Sequence, residues 1–135
     1  MSRALDGITV IDFSDCMAGA MCGMFLCDNG ARVIQIQTNP DMVFHNGNGR
    51  MVWDRGKESV LLDLSNGVHS KDIRILYNLI KEADVIVETA SPSSELSDLL
   101  ESSKLPSLNP QIIHCSITAY GRSGPLRDET LDDDL

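Results

Sequence analysis

The segment at residues 7–37, GITVIDFSDCMAGAMCGMFLCDNGARVIQIQ, constrains the fold more than any other part of this chain. Residues 8–13 form an apolar run rich in β-branched side chains, which is typical of a strand buried on both faces of a parallel sheet. A helical pattern follows as far as Asn29, and Gly30 suits the left-handed conformation that ends many helices. Residues 33–36 form a second such run, so the segment predicts a β-α-β unit with a right-handed crossover.

The turn between the first strand and the helix carries the residues that should start the helix. We expect Ser14 and Asp15 to accept hydrogen bonds from the first helical N–H groups, so that the helix begins near Cys16. Ala18 and Gly19 are small enough to keep this turn narrow. Three methionines recur at helical spacing and are predicted to pack in the core: Met17, Met21 and Met24.

The chain has 135 residues and a formal net charge of -9, which fits one domain spanning residues 1–135. Nucleic acids and anionic membranes attract clustered Lys and Arg, so we expect neither as a partner. Residues 1–7 lack the hydrophobic segment of a signal peptide, and no apolar run approaches the ~20 residues that span a bilayer. These features predict a cytoplasmic protein.

Four cysteines are present, and their spacing indicates neither a metal site nor a disulfide framework. They are Cys16, Cys22, Cys27 and Cys115. They form no C-x-x-C pair, and the first three fall in one predicted helix. We expect buried, reduced thiols and no metal site.

The remaining sequence continues the alternation of strands and helices. Further strands are predicted at residues 59–64, 83–88 and 111–118, and helices at residues 68–82 after Asn66 and again after Ser93 or Ser94. Residues 38–56 and 119–135 have the composition of loops. The fold class expected is α/β and Rossmann-like, with a mostly parallel sheet and flanking helices. The chain stops on a loop where a further crossover is expected, which suggests a cut or an early stop.

Five segments in this order resemble the N-terminal part of family III CoA-transferases, the CaiB/BaiF group. They are LDGITVIDFS, GARVIQIQ, GKESVLLDL, ADVIVE and LNPQIIHCSITAYGRSGP, which together cover nearly the whole chain. The resemblance implies a Rossmann-like sheet that carries a second, smaller domain in the complete protein, and two interlocked subunits. It also implies CoA or an acyl-CoA thioester as substrate and no covalently bound cofactor.

The resemblance places no catalytic residue in this chain. Family transferases use an aspartate that attacks the thioester, and its position would lie beyond residue 135 rather than at Asp132, Asp133 or Asp134. Members of the racemase branch carry a histidine where this chain has Asp133, so racemase activity is disfavoured.

The positions that bind CoA in the family can be transferred one at a time. Met17 and Ala18 correspond to the turn that meets CoA, Leu62 and Ser65 to the adenine end, and Tyr120 and Gly121 to the turn near the thioester. Other positions depart from the family pattern. A basic residue is replaced by Thr38, an amide and an aromatic residue by Thr89 and Ala90, and an arginine by Ser97.

Several residues have both a functional and a structural interpretation. Arg55 and Lys57 flank a glycine and could bind CoA phosphates, or could belong to a solvated loop. Glu88, at a strand end, could act as a general base. A lone histidine in an apolar strand, His114, is expected to be a hydrogen-bonded core residue, and Trp53 to contact either a ligand or a missing remainder of the protein. His45 and His69 are expected at the surface.

Two hypotheses for function follow. The first is the CoA-binding portion of a CoA-transferase that lacks the nucleophile, so that enzymatic activity of this chain alone is uncertain. The second is a degenerate, non-catalytic module that keeps the fold for dimerisation or for association with the missing C-terminal portion. A nicotinamide-dependent oxidoreductase is disfavoured because no G-x-G-x-x-G follows the first strand and Gln37 stands where an acidic ribose ligand would be expected.

Overall fold

The computed structural model describes residues 2–38, 50–65, 71–91, 94–100 and 104–129. Its five strands are β1 (Thr9–Phe13), β2 (Arg32–Gln37), β3 (Glu58–Leu61), β4 (Val85–Glu88) and β5 (Ile113–Ser116). Its helices are α1 (Met17–Asp28), α2 (Arg50–Trp53), α3 (Lys71–Glu82), α4 (Glu95–Leu99) and α5 (Leu105–Leu108).

All strand pairs in the sheet are parallel, and the order is β3-β2-β1-β4-β5. The central strand β1 pairs on both sides, with Ile11 opposite Ile34 of β2 and Ile86 of β4. From β1 the chain proceeds outward to β2 and β3, then crosses back to β4 and β5. The predicted Rossmann-like α/β fold is confirmed, and the point where the strand order reverses lies between β1 and β4.

The core is divided between the two faces of the sheet because neighbouring strand residues point to opposite sides. One face carries Ile11 and Ile86, which pack with α3 and α5 residues such as Leu76 and Leu105. The other face carries a smaller cluster covered by α1: Val10, Val33 and Val87 with Cys22, Leu26 and Cys27. Burial on both faces explains the near-continuous apolar runs of β1 and β2.

Helix α1 lies within one residue of its predicted limits, but its predicted N-cap is wrong. Cys16 is the N-cap and makes no side-chain cap hydrogen bond. The Ser14 hydroxyl donates instead to the buried Asp12 carboxylate, and the Asp15 carboxylate accepts from Thr89. At the other end Gly30 has φ +106°, as the predicted left-handed position requires.

The predicted methionine stripe and cysteines are only partly in the core. Met24 is buried, whereas Met17 is 38% exposed, because α1 is apolar around most of its circumference and the sheet covers one side of it. The cysteines are free, as predicted, but each is only partly buried.

Other element boundaries differ from prediction mainly at the sheet edges. β3 ends at Leu61 and β5 spans four residues, since each is an edge strand with one neighbour. The predicted loop 38–56 contains α2, and α5 was not predicted. The predicted Asn66 cap lies outside the described residues, whereas the predicted Ser94 cap is confirmed by a 3.1 Å bond from the Ser97 N–H to the Ser94 hydroxyl.

None of the described helices has the length and apolar character needed to cross a membrane. The cytoplasmic location and the single domain stay predictions.

Candidate functional site

A cleft of about 480 Å³ opens where the strands of the sheet end. Strand ends contribute Phe13, Thr38, Thr89, Ala90, Ser91, Thr118 and Ala119. The starts of two helices and the C-terminal loop contribute Asp15, Cys16, Ser94, Leu96, Arg127 and Glu129. A smaller cavity of about 70 Å³ adjoins it beyond β1 and β2 and shares Phe13, Asp15, Thr38 and Leu96.

The cleft occupies the position at which open parallel sheets bind ligands. Loops from β1 and β4 leave the sheet in opposite directions and open a crevice at their carboxyl ends. The volume falls within the range of about 300–1,000 Å³ that is usual for small-molecule sites.

A pair of hydrogen bonds joins the two sides of this crevice. The Asp15 N–H donates to the Thr89 hydroxyl at 3.0 Å, and this hydroxyl donates to the Asp15 carboxylate at 2.5 Å. The approach depends on Gly19, since a Cβ there would lie 2.2 Å from the Ser14 Cβ and 2.8 Å from the Thr89 Cγ2. The start of α1 is thereby fixed against the end of β4.

The C-terminal loop forms another wall and is held by Arg122. Its guanidinium donates to the Glu88 carboxylate at 2.8 Å, to the Ser116 hydroxyl at 3.0 Å and to the Ser97 hydroxyl at 2.6 Å. Arg122 therefore connects β4, α4 and β5 to the loop that brings Ala119, Arg127 and Glu129 to the cleft.

Glu88 is a buried, charged anchor, so its suggested role as a general base is not supported. One carboxylate oxygen binds Arg122, and the other accepts from the Ala90 N–H at 2.6 Å. Burial raises the pKa of Glu88, but the polar groups around the carboxylate, first the nearby His114 ring and then Ser116, the Ala90 N–H and Arg122, hold its pKa below the usual value. A base must accept a proton from a ligand, and both oxygens already have protein partners.

The ring of His114 lies beside the same carboxylate. Its Nε2 atom is 3.5 Å from the Glu88 Oε1, too long for a well-formed hydrogen bond. This buried nitrogen has no hydrogen-bond partner within the described parts of the chain. The prediction of a hydrogen-bonded core histidine is therefore wrong for Nε2.

Lys57 is buried in an ion pair, which corrects both interpretations of its role. Its ammonium lies 3.0 Å from the Asp12 carboxylate and 3.1 Å from the Ala20 carbonyl oxygen, and its side chain is 1% exposed. Arg55 pairs at the surface with Asp28. Lys57 thus fixes the end of the long loop beneath α1, and its charge is not directed at a ligand.

The six residues predicted to bind CoA differ in their relation to the cleft. Met17 and Ala18 are exposed in the first turn of α1, directly after Cys16, and Tyr120 is exposed directly after Ala119. The Gly121 N–H donates to the Thr118 hydroxyl at 2.9 Å. Four of the six therefore adjoin residues that line the cleft.

The two remaining residues follow β3, away from the cleft lining. Leu62 is 2% exposed and belongs to the core, and its N–H donates to the Gln37 carbonyl at 2.8 Å. Ser65 is exposed, and its hydroxyl donates to the Asp63 carboxylate at 2.6 Å. Trp53, at the end of α2, is partly buried.

The positions that depart from the family pattern have distinct environments. Thr38, Thr89 and Ala90 line the cleft directly. Ser97 is buried and binds Arg122, a cation that the sequence reasoning did not assign. Asp132, Asp133, Asp134, His45 and His69 lie outside the described residues.

The sequence reasoning did not single out Asp12 or Arg122, and it gave Asp15 and Lys57 other roles than the contacts they make beside the cleft. A signal for two of the pairings was present, because Asp12 and Glu88 are carboxylates within apolar strands. A buried charge needs a partner, and both partners lie far away along the chain.

The chemistry available in the cleft is that of binding by hydroxyl groups and a few charges. Its hydroxyl-bearing lining residues are Thr38, Thr89, Ser91, Ser94 and Thr118. Within the described ranges, no group of three or more His, Cys, Asp or Glu side chains could hold a metal ion.

Comparisons with solved structures agree with this architecture. A crystal structure of a hypothetical protein from Mycobacterium tuberculosis has a TM-score of 0.84 and 30% identity, covering 98% of this chain and 38% of its own. A CaiB/BaiF family protein from Brucella suis has a TM-score of 0.75 and 27% identity, covering 96% of this chain and 37% of its own.

Sequence relatives show the same partial coverage. A succinate–glutarate CoA-transferase from Agrobacterium fabrum is 30% identical over 92% of this chain and 34% of the relative. A probable fatty acyl-CoA transferase from Mycobacterium tuberculosis is 31% identical, with the same two coverages. The chain spans about a third of the length of these relatives. The model of CoA-transferase family III matches residues 5–134, and the chain therefore belongs to CoA-transferase family III.

Proposed function

We propose that this chain supplies the CoA-binding portion of a family III CoA-transferase-like protein and lacks the nucleophilic aspartate. The observation that carries the proposal is the 480 Å³ cleft at the strand-order reversal, in a chain whose family acts on CoA thioesters. The chain alone would bind CoA or an acyl-CoA and would not transfer the CoA group.

The placement of the predicted residues supports a path for the ligand. Met17 and Tyr120 are directly adjacent in sequence to two lining residues of the cleft, Cys16 and Ala119. Ser65 lies beyond the edge strand β3, so a ligand reaching from it would cross the carboxyl ends of β2 and β1. We assign the thioester end to the cleft and the adenine end to the region after β3.

Isothermal titration calorimetry with CoA tests binding by the 135-residue chain. We expect a dissociation constant of about 10–100 μM, corresponding to roughly 5.5–7 kcal/mol. A cleft-filling variant, Ala90→Phe, should weaken binding because Ala90 lines the cleft and is itself buried. Absence of heat with millimolar CoA would disprove the binding proposal.

The absence of transfer activity is a separate part of the proposal. We expect no exchange of CoA between a dicarboxylic acyl-CoA and a free dicarboxylate when the chain is assayed alone. Some relatives carry names that specify succinate and glutarate, so succinyl-CoA with glutarate is the first pair to assay. Measurable turnover would show that the chain contains a nucleophile after all.

A second candidate function is the non-catalytic association module, and an apolar surface favours it. Phe25 of α1 and Val52 of α2 are 56% and 52% exposed, and Leu61 on the edge strand β3 is 53% exposed. Helices α1 and α2 contact each other, so Phe25 and Val52 belong to neighbouring elements. Adjacent exposed apolar side chains are typical of interfaces.

Light scattering distinguishes this candidate. A homodimer that dissociates in the double variant Phe25→Ser with Val52→Ser, while the variant Ile75→Ser on α3 remains dimeric, would support association through α1 and α2. If the chain is monomeric at all concentrations and binds CoA, the association function is excluded and the CoA-binding function remains.

A further inference from the structure

The cleft is poor in positive charge. The chain has 11 Lys and Arg residues, and among the described lining residues Arg127 is the one cation. Its guanidinium lies 3.3 Å from the carboxylate of Asp128, which partly neutralises it. The segments outside the described ranges, at residues 39–49, 66–70, 92–93, 101–103 and 130–135, contain no Lys or Arg in their sequence.

Four further cations in the part of the chain that the structure describes are engaged by carboxylates. Arg32 pairs with Glu58, Arg55 with Asp28, Lys57 with Asp12 and Arg122 with Glu88. Lys57 and Arg122 could otherwise have faced a ligand because they lie under α1 and beside the cleft wall. Each neutralises a buried carboxylate instead, so moving either charge to a ligand would leave an unpaired anion in the interior.

Two carboxylates, in contrast, belong to the cleft lining: Asp15 and Glu129. Asp15 stands just before α1, a helix of 12 residues. The positive end of a helix dipole normally favours a phosphate at this place. Here the Asp15 carboxylate already lies near the start of the helix, and it would repel an incoming phosphate.

The uncharged residues of the cleft lining suit a different part of a CoA molecule. Thr38, Ser91 and Thr118 offer hydroxyl groups, and Phe13 and Leu96 offer apolar surface. The pantetheine arm of CoA is uncharged, with two amides, a hydroxyl and methyl groups, whereas the nucleotide end carries several phosphate charges. Phosphates are usually held by cations or by clustered N–H groups.

From this charge distribution we infer that the cleft recognises the pantetheine arm and gains no affinity from the nucleotide phosphates. The inference rests on the proposed CoA-binding function and specifies which part of the ligand is recognised. The phosphates remain in solvent, and the contacts of the adenine end in the region after β3 contribute little to the binding free energy.

Calorimetry with CoA, dephospho-CoA and pantetheine tests the inference on the 135-residue chain. We expect the three dissociation constants to agree within about threefold and to change little between about 0.05 and 0.5 M salt. CoA binding about tenfold or more tighter than pantetheine, with a steep loss in salt, would overturn the inference alone. No binding of any of the three would overturn the proposed function and the inference with it.

A variant that adds charge provides an independent test. Thr38 is exposed and lines both cavities, so Thr38→Arg places a guanidinium at the rim without disturbing the core. We expect CoA to gain about tenfold in affinity relative to pantetheine and to acquire salt dependence, while Thr38→Gln keeps the original ratio. An unchanged ratio in Thr38→Arg would contradict the inference that missing charge sets the preference.

Discussion

Arg122 Nη1 lies 2.8 Å from the Oε1 of Glu88, and the two residues join the C-terminal loop to the end of β4. The Glu88 side chain is buried, whereas the Arg122 side chain is 39% exposed. The pair therefore lies at the boundary between the sheet and the cleft wall. Since Thr89 and Ala90 follow Glu88 directly and line the cleft, one contact positions two of its walls.

Removing the cation from this pair should destabilise the fold. Arg122→Ala leaves the Glu88 carboxylate buried with one charged partner fewer, at an expected cost of about 2 kcal/mol in the free energy of unfolding. Urea denaturation followed by circular dichroism measures this change. The matched control is Arg127→Ala, whose partner Asp128 is exposed and whose loss should cost less than about 1 kcal/mol. Equal effects of the two variants would contradict the anchoring role of Arg122.

The same carboxylate should make stability depend on pH. The pKa of Glu88 is lowered in the folded chain from the ordinary value of a glutamate. The stabilisation that the ionised Glu88 contributes is therefore complete above the ordinary pKa of a glutamate and is lost as the pH falls through the lower native pKa. The groups facing the carboxylate are Arg122, His114, Ser116 and the Ala90 N–H.

Urea midpoints at pH 7 and at about pH 3.5 should therefore differ less in Glu88→Gln than in the unmodified chain. Glu58→Gln is the control, because Glu58 also has a lowered pKa from its hydrogen bond with Arg32 but lies at the surface. Its effect on the pH dependence should be small, since solvent screens the pair. If Glu58→Gln removes as much of the pH dependence of stability as Glu88→Gln does, then burial of the Glu88 carboxylate is not the cause of that dependence.

The fold was predictable where local pattern and tertiary packing agree. The apolar runs of β1 and β2 and the glycine after α1 each indicate their structure from a few adjacent residues, and these elements lie within a residue or two of prediction. The N-cap of α1 was not predictable in this way. The Ser14 hydroxyl could accept a hydrogen bond from the first turn of α1 or donate one to the Asp12 carboxylate. It donates to Asp12, because an unsatisfied buried charge costs more free energy than a helix start without a side-chain cap.

The site was less predictable because its walls depend on contacts between distant segments. Lys57 follows a glycine, a pattern that suits phosphate binding, yet it is 45 positions from the Asp12 that binds it. Arg122 and Glu88 are separated by 34 positions. Local sequence indicates that a buried carboxylate needs a cation, but several cations could satisfy it until the strand order is known.

The buried ion pair of Asp12 and Lys57 should be sensitive to loss of one partner. Their side chains are 0% and 1% exposed, so Lys57→Met strands a carboxylate in the core and should cost about 3–5 kcal/mol. Arg55→Met is the matched control, since its partner Asp28 is 41% exposed, and should cost less than about 1 kcal/mol. Chemical denaturation measures both, and thermal unfolding ranks them if Lys57→Met is too unstable for a full curve. A Lys57→Met variant as stable as Arg55→Met would refute the buried pair.

Because of the close packing at Gly19, we expect alanine at this position to destabilise the chain, whereas helix propensity alone would predict stabilisation. In an exposed helix, replacing glycine with alanine stabilises by about 1 kcal/mol. At Gly19 the added Cβ would lie 2.2 Å from the Ser14 Cβ, so the start of α1 must move away from β1 and β4. Overpacking of this kind usually costs about 1–3 kcal/mol, which outweighs the gain in propensity.

The displacement should also affect ligand binding, because Asp15 and Thr89 join the two sides of the cleft beside this glycine. We expect Gly19→Ala to lower the urea midpoint and to weaken CoA binding by about tenfold. Ala18→Ser, at an exposed neighbouring position, should change the stability by less than about 1 kcal/mol and serves as the control for substitution in the first turn. A Gly19→Ala variant that is more stable than the unmodified chain would show that α1 is free to shift, and that the close contact with Ser14 does not determine where the helix begins.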